Sequence, residues 1–210
     1  MTMHAPNRIL LAALLAGAVV ACSGDSFMPT TPAGPTQVSE SALPVITVTP
    51  TELPQTTTAS FYAVKGENRE QRLYTERADG SRGDEYLRLT IDDNSLLAFP
   101  DGRPFLRGDS VLITILVADP SRMLFQLEPA GLRFNPANPA ELRVGYGAAG
   151  GDLDGDGDHD AADDSLQTHL GIWRQETPGT PFERLPSLVS TSSRDVRAGL
   201  PGFSRYAVSY

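Results

Sequence analysis

Residues 111–118 read VLITILVA and form the most strand-like segment of the chain. Thr114 is the only polar residue among them, and β-branched residues such as Ile113 and Ile115 favour the extended conformation. Because apolar side chains occur at odd and even positions alike, both faces of this strand are predicted to be buried. We therefore expect it to be a central strand of a sheet.

Shorter runs on both sides of this segment alternate apolar and polar residues, which is the pattern of half-buried strands. Three such runs place their apolar residues at 87, 89 and 91, at 123, 125 and 127, and at 142, 144 and 146. Further strand candidates are residues 169–174, 194–200 and 203–209, and turn sequences separate the runs. No amphipathic helix of useful length is evident. Residues 61–210 are thus predicted to form an all-β domain, a single β-sandwich of mostly antiparallel strands.

The composition and the charge exclude several classes of protein. The 210 residues are 40 % apolar, which is enough for a buried core, and the formal net charge is −9. No nucleic-acid partner is expected, because an acidic chain offers few basic residues for contacts with phosphates. Cys22 is the only cysteine, which excludes an internal disulfide, a cysteine-rich zinc site and a CxxC redox pair.

The amino terminus has the pattern of a secretory signal. Arg8 is followed by an uninterrupted apolar run, residues 9–21 (ILLAALLAGAVVA). As a helix, a run of this length would span about 20 Å, which is less than the bilayer core of about 30 Å. Residues 1–21 are therefore predicted to be a signal peptide rather than a membrane-spanning helix.

The end of this run, residues 19–22 (VVAC), resembles the lipobox of bacterial lipoproteins. The resemblance implies cleavage before Cys22, lipidation of its thiol and attachment of the protein to a membrane. Lipoproteins that stay in the inner membrane of enteric bacteria carry aspartate at the next position, where this chain has Ser23. The expected location is the cell envelope, at the periplasmic face of the outer membrane or at the cell surface.

A segment rich in proline and threonine follows, and residues 22–60 are predicted to be a lipid-anchored tether. Its prolines prevent a continuous helix or central strand. Within it, residues 45–48 (VITV) form the one segment that could pair as a strand and begin the domain.

An acidic run between two predicted strands matches the spacing of a calcium-binding loop. The candidate ligands at loop positions 1, 3, 5, 7, 9 and 12 are Asp152, Asp154, Asp156, Asp158, Asp160 and Asp163. Asp158 is expected to offer its backbone carbonyl, and Gly157 falls where the chain must turn sharply. Residues 152–164 contain seven aspartates. Their mutual repulsion should open the segment unless a cation is bound.

Calcium, Ca²⁺, is the metal that these residues favour, because it takes about six to eight oxygen ligands in a flexible shell. Magnesium requires a stricter geometry, and zinc would find only His159 as a nearby nitrogen ligand. Asp163 replaces the usual glutamate at position 12, which resembles the loops of dockerin modules. Residues 143–151 (RVGYGAAGG) are strand and glycine, so a paired EF-hand is excluded, whereas residues 161–168 could form a short helix. We expect an EF-hand-like loop whose ion has a structural role.

Two parts of the domain resemble the ZU5 family. Residues 128–134 (EPAGLRF) and 138–144 (NPAELRV) are similar to one run of that family, and residues 203–208 (FSRYAV) are similar to its closing segment. The resemblance implies a β-sandwich that is used for binding and scaffolding. Some relatives cleave themselves within a His-Phe-Ser sequence, but this chain has Gly202 in place of the histidine that would assist Ser204. Self-cleavage is therefore not expected.

Together these features predict an exported, lipid-anchored binding or structural module that is not an enzyme and is stabilised by one calcium ion. The membrane is its expected partner through the lipid on Cys22, and the identity of any protein partner is left open. One alternative is a dockerin-like assembly module that binds its partner through the calcium loop, although dockerins normally carry two such loops. The other alternative is an enzyme with an unrecognised site, since paired carboxylates can meet in space without a sequence motif.

Overall fold

The computed structural model describes residues 37–210 and the residue pair Met28–Pro29. The strands, numbered in chain order, are β1 (Met28–Pro29), β2 (Gln37–Val38), β3 (Thr58–Val64), β4 (Arg69–Glu76), β5 (Arg82–Ile91), β6 (Leu96–Ala98), β7 (Ser110–Asp119), β8 (Leu124–Glu128), β9 (Arg133–Phe134), β10 (Ala140–Gly145), β11 (Gly171–Gln175), β12 (Phe182–Arg184), β13 (Ser187–Ser190), β14 (Asp195–Leu200) and β15 (Arg205–Ser209). One α-helix, α1 (Ala161–Gln167), and one 3₁₀ helix, Tyr146–Ala149, complete the secondary structure of this region.

The strands form two large sheets that face each other. The six-stranded sheet has the order β1-β13-β14-β10-β5-β4, and the seven-stranded sheet has the order β2-β12-β11-β15-β8-β7-β3. Strands β6 and β9 form a separate small sheet, and the strand pairs of the described region are antiparallel. This arrangement confirms the predicted all-β, sandwich-like fold, and α1 is the short helix expected after the acidic run.

The main core lies between the two sheets and follows the alternation seen in the sequence. In β5, Leu87 and Leu89 point into the core and are fully buried, while Arg88 between them lies on the outer face. Strand β8 of the opposite sheet contributes Phe125 and Leu127 in the same way. Burial of a side chain of this size contributes about 1.5–3 kcal/mol, so these alternating rows supply most of the driving force for folding.

A hydrogen bond from a buried tyrosine fixes one end of the sandwich. Tyr206, near the start of β15, donates its hydroxyl hydrogen to the carbonyl of Gly202 four residues upstream. Greek-key sandwiches use the same contact, known as a tyrosine corner, where the chain passes from one sheet to the other. Burial raises the pKa of Tyr206 to about 12, so this hydroxyl keeps its proton.

Strand β7 differs from the expectation of burial on both faces. Ile113 and Ile115 point into the main core, but Leu112 on the opposite face is 49 % exposed. The strand lies next to the edge strand β3, in a half of the sheet whose outer face no described segment covers. Its apolar sequence therefore predicted the strand correctly and the burial of its outer face wrongly.

The packed domain begins before residue 61, within the segment assigned to the tether. Ile46 and Val48 lie in the main core, and the N–H group of Ile46 donates to the carbonyl of Val208 at 3.0 Å. Just before them, the chain covers part of the outer face of the seven-stranded sheet and creates a second hydrophobic cluster. Its buried members are Leu43, Val45, Leu124, Trp173, Phe182 and Ala207.

Candidate metal centre

The acidic run forms the connection that crosses from one large sheet to the other. It follows β10 and the 3₁₀ helix, and it ends at α1, which precedes β11. Both ends are packed on the sandwich, because Leu153 is only 5 % exposed in the main core and Leu166 of α1 is half-buried against it. Residues 154–162 between these anchors are exposed to solvent. The loop is therefore an exposed connection between the buried Leu153 and the half-buried Leu166.

The six predicted ligands are gathered into two groups of three carboxylates. Within each group, one carboxylate oxygen from each residue lies within 4.8 Å of the others. The first group is Asp152, Asp154 and Asp156, and the second group is Asp158, Asp160 and Asp163. Oxygens that share a calcium ion at about 2.3–2.6 Å are at most about 5.2 Å apart, so each group has a spacing suited to a metal. This Asp-rich cluster could thus hold a metal ion.

Asp152 organises the first half of the loop. Its Oδ1 accepts a hydrogen bond from the N–H of Gly155 at 2.7 Å, and its Oδ2 accepts one from the N–H of Gly157 at 3.1 Å. Gly157 has a φ of +100°, a left-handed conformation that residues with a Cβ atom adopt only at a cost. The sharp turn predicted at Gly157 is therefore present.

Asp163 closes the loop and ties it to the core. Although it is charged, it is only 1 % exposed. Its Oδ1 accepts hydrogen bonds from the N–H groups of Leu153 at 2.6 Å and Asp154 at 3.3 Å, and its Oδ2 accepts one from the N–H of Asp160 at 2.9 Å. The last of these bonds belongs to a capping box at the start of α1, in which Asp160 is the N-cap residue. One carboxylate therefore joins the beginning of the loop, its end and the helix.

The electrostatics of the loop differ between Asp163 and its neighbours. Hydrogen bonds from the N–H groups of Asp160 and Leu153 hold the pKa of Asp163 below its ordinary value. The carboxylate of Asp156 raises the pKa of Asp158, and burial and other neighbouring aspartates add to this effect. The run contains no lysine or arginine to offset these charges. A bound cation would relieve the repulsion without disturbing the contacts of Asp163.

The entrance to the loop is supported by the segment between β2 and β3. Thr49 donates hydrogen bonds from its N–H at 2.9 Å and from its hydroxyl at 3.1 Å to the carbonyl of Ala148. A Cβ atom on Gly150 would lie only 2.7 Å from the Cγ2 atom of Thr49, so the side chain of Thr49 packs closely against the backbone of Gly150. The loop therefore begins on a base that includes residues from before the predicted domain boundary.

The sequence analysis did not identify a charged surface on the outer face of the six-stranded sheet. Arg72, Arg88, Arg143 and Arg197 lie in one cross-strand row on β4, β5, β10 and β14. Arg88, for example, donates to both carboxylate oxygens of Glu85 at 2.9 and 2.8 Å. Each arginine has at least one acidic partner, so the row is a neutralised network. The register between neighbouring strands brings these residues together. Alternation within a single strand does not show which residues of its neighbours lie beside it.

A cavity of about 280 Å³ lies beside this row. Its lining residues are Asp84, Glu85, Arg88, Arg143, Gly145, Ser193 and Asp195. The side chains of Arg88 and Arg143 are ion-paired there with Glu85 and Asp195. The cavity is thus a polar recess in a charged sheet face.

Other residues singled out in the sequence have simpler positions. Ser204 is buried, and its hydroxyl oxygen accepts a hydrogen bond from the Nε of Arg174 at 3.0 Å. Cys22 and residues 1–21 lie outside the described part of the chain. In the described part, no helix is both long enough and apolar enough to span a bilayer.

Comparisons of the chain with family models, with curated proteins and with solved structures gave no match. The resemblances to lipoproteins, to ZU5 domains and to dockerin loops therefore rest on the sequence motifs themselves.

Proposed function

We propose that this protein is an exported, lipid-anchored module of the cell envelope that binds or holds a partner, and that one calcium ion in residues 152–163 stabilises its sandwich. The observation that carries the calcium proposal is the position of Asp163. Its buried carboxylate belongs to the second aspartate group and accepts a hydrogen bond from the backbone of Leu153, whose side chain lies in the main core. An ion bound to Asp163 would therefore be coupled directly to the packing of the sandwich.

Calcium suits this loop better than magnesium or zinc does. The aspartate groups offer oxygen ligands on an exposed and glycine-containing backbone, which can adapt to a shell of about six to eight ligands. Magnesium needs a nearly ideal octahedron, and zinc prefers nitrogen and sulfur ligands. The one nearby nitrogen ligand, on His159, lies 3.5 Å from a carboxylate oxygen of Asp164, which belongs to neither group.

One ion for the whole loop is supported by the way in which the two groups adjoin. The carboxylate of Asp163 accepts a hydrogen bond from the N–H of Asp154, which brings the end of the loop beside its beginning. The Oδ2 atom of Asp163 accepts one hydrogen bond, from the N–H of Asp160, so its second lone pair can bind a metal. We expect binding to draw both groups into one shell, and calorimetric titration to give one calcium ion per chain. A stoichiometry of two would instead assign one ion to each group.

The stabilisation can be tested on a chain of residues 23–210, which contains every described residue. Thermal unfolding is measured in EDTA and in millimolar calcium or magnesium. A ligand that binds only the folded state at a hundredfold excess over its Kd adds about 2.7 kcal/mol, which raises Tm by about 5–11 °C for a protein of this size. Since extracellular calcium sites have Kd values of about 10⁻⁴–10⁻³ M, 10 mM calcium is about a tenfold to hundredfold excess, which should add about 1.4–2.7 kcal/mol and raise Tm by about 3–11 °C.

Two variants separate a specific site from a general charge effect. Asp152→Asn combined with Asp156→Asn should abolish the calcium-dependent rise in Tm, because both residues belong to the first aspartate group. Asp164→Asn removes a charge from the same run but lies outside both groups, so it should keep the rise. No rise in the wild-type protein at about 10 mM calcium would refute the calcium proposal and leave the run as a solvated loop.

The lipid anchor is supported by the sequence of residues 19–22, which resembles a lipobox. β1 begins at Met28, six residues after Cys22, and such a segment spans at most about 22 Å. A lipid on Cys22 would therefore hold the β1 edge of the six-stranded sheet close to the membrane. Labelling with a fatty-acid analogue in a bacterial host should mark the wild-type protein and not Cys22→Ala. Absence of label on the wild-type protein would refute lipidation.

A binding or structural role fits the charged outer face of the six-stranded sheet. The cavity of about 280 Å³ there is lined by arginines that are ion-paired with acidic neighbours. We propose that the function lies in the surfaces of the sandwich and in its attachment to the envelope.

A further inference from the structure

Strand β3 is an edge strand that lacks the usual protection against pairing with another chain. Sheet edges are normally blunted by charges, prolines, bulges, short strands or covering segments. The edge strands β1 and β2 have two residues each, and β4 carries four charged residues and two register irregularities. β3 has seven residues (TASFYAV) with no charge and no proline, and it pairs with β7 without a register shift.

The backbone groups that β3 leaves unpaired can be assigned from its contacts with β7. The N–H of Val117 donates to the carbonyl of Thr57, and the N–H of Lys65 donates to the carbonyl of Asp109. In an antiparallel pair, alternate residues form these bonds, so the odd-numbered residues of β3 face β7. The even-numbered residues direct their N–H and C=O groups outward. Those that pair with no described residue are Thr58, Ser60 and Tyr62.

The outer face beside this edge is apolar and exposed. Tyr62 is 62 % exposed and lies opposite Leu112, which is 49 % exposed. Thr58 lies opposite Leu116, which is partly buried. On the other half of the same sheet face, the second hydrophobic cluster is covered by residues 43–45. The uncovered half therefore places exposed apolar side chains, next to the hydrogen-bonded hydroxyls of Ser60 and Thr114, beside an open sheet edge.

We propose that β3 pairs antiparallel with β3 of a second copy of this chain, around a twofold axis at Ser60. The three residues with free backbone groups then form three hydrogen-bonded pairs, Ser60 with Ser60 of the second copy and Thr58 with Tyr62 in both directions. Such pairs exchange two bonds each, so about six backbone hydrogen bonds join the two seven-stranded sheets. On the outer face, the side chains of Leu112 and Tyr62 of one copy then lie in one cross-strand row with those of Thr58 and Leu116 of the other copy.

A second copy fits this edge because the strand is complementary to itself. Its lack of charge means that antiparallel self-pairing places no like charges opposite each other, and Lys65 falls opposite Gln55. The twofold register at Ser60 also fits the available groups better than a register centred on Phe61. The latter would use the carbonyl of Val64, which already accepts a hydrogen bond from Glu67 at 3.1 Å. This inference depends on neither the calcium ion nor the lipid.

Disulfide trapping tests the register. A chain of residues 23–210 contains no cysteine, so Ser60→Cys introduces a single thiol at the proposed axis. Cα atoms of a hydrogen-bonded antiparallel pair are about 5.5 Å apart, within the range that a disulfide bridges. Tyr62→Cys is the control: its side chain position is also exposed, but the two thiols would be offset by four residues, about 13 Å along the strands. We expect rapid formation of disulfide-linked dimers by Ser60→Cys only. If Tyr62→Cys formed them at an equal or higher rate, the register would be overturned.

Sedimentation velocity from about 1 µM to about 1 mM tests the interface itself. A single seven-residue edge is smaller than a standard interface of about 1,600 Å², so we expect a concentration-dependent dimer. Ser60→Pro removes one outward N–H and no backbone bond to β7, and it should raise the dimer Kd at least tenfold. Ser60→Ala also loses the hydrogen bond between the hydroxyls of Ser60 and Thr114 but keeps the N–H, so it should leave the Kd unchanged. Tyr62→Lys should act like Ser60→Pro, while Leu106→Lys, at a 66 % exposed position outside β3, should leave the Kd unchanged.

Three results would overturn the proposal. The first is a wild-type protein that remains monomeric up to about 1 mM. The second is a Ser60→Pro variant that keeps its fold and dimerises as the wild type does. The third is slow amide hydrogen exchange at Ser60 and Tyr62 in dilute monomer, which would show that the edge is covered by the chain's own residues. Far-ultraviolet circular dichroism and thermal unfolding of each variant establish that the fold is retained.

Discussion

Replacing Leu153 by alanine should destabilise the whole sandwich, although the residue belongs to an exposed acidic loop. Leu153 is 5 % exposed and packs in the main core, while the loop residues after it face solvent. Leucine-to-alanine changes in cores cost about 2–5 kcal/mol. Because Leu153 lies at the end of the core, where neighbours can relax, we expect the lower half of this range, about 2–3 kcal/mol. With about 2–4 °C per kcal/mol for a protein of this size, Tm should fall by about 4–12 °C.

The assay is thermal and urea unfolding of residues 23–210 in EDTA, with Leu106→Ala as the matched control. Leu106 is 66 % exposed, so the same chemical change there should alter the free energy of unfolding by less than about 0.5 kcal/mol. Calcium should also bind Leu153→Ala more weakly than the wild type, because part of the binding energy is then used to order the loop. A loss no larger than that of Leu106→Ala would refute the anchoring of the loop in the core.

Three further predictions concern the loop and the boundary of the domain. Gly157→Ala should lower the free energy of unfolding in EDTA by about 1–2 kcal/mol and weaken calcium binding, because a φ of +100° is strained for alanine. The space around the residue is open, so no steric clash adds to this loss. Urea unfolding measures the change. In EDTA, stability should rise slightly as the pH falls towards about 4, because neighbouring aspartates raise the pKa of Asp158 and its protonation relieves their repulsion. Below about pH 4 stability should fall as Asp163, whose pKa is lowered, loses its charge. Measurement of Tm against pH shows both slopes. Residues 61–210 alone should not fold, whereas residues 37–210 should, because four buried hydrophobic residues precede residue 61; circular dichroism of the two fragments decides.

The strands could be predicted from the sequence because alternation directly reports which side of a strand meets the core. Leu87, Leu89 and Ile91 of β5 show this, since their spacing of two residues matches the pleat of the strand. The burial of β7 could not be predicted in this way. Whether its outer face is covered depends on where residues 43–45 pack, and these residues cover the other half of the sheet.

In the acidic run too, local features could be predicted from the sequence, whereas contacts between residues far apart in the chain could not. Its spacing predicted the turn at Gly157 and the short helix after it, because both depend on neighbouring residues. The hydrogen bond between Asp163 and the backbone of Leu153, and the insertion of Leu153 into the core, were not visible in the pattern. They depend on the three-dimensional packing that brings Leu153 and Asp163, ten positions apart in the chain, into contact. The spacing of the ligands alone does not specify that packing.

The single cysteine gives a physical reason for placing a metal in this connection. Exported domains commonly restrain long connections with disulfides, but the only cysteine, Cys22, is outside the domain and is proposed to carry the lipid. The crossing between the sheets must therefore be held by other means. Thr49 supports its entrance, and Asp163 joins its two ends, but the aspartates between them repel each other in the absence of a cation. A calcium ion would turn that repulsion into a cross-link, so removal of calcium should loosen this connection first and leave the strands on both sides of the core paired.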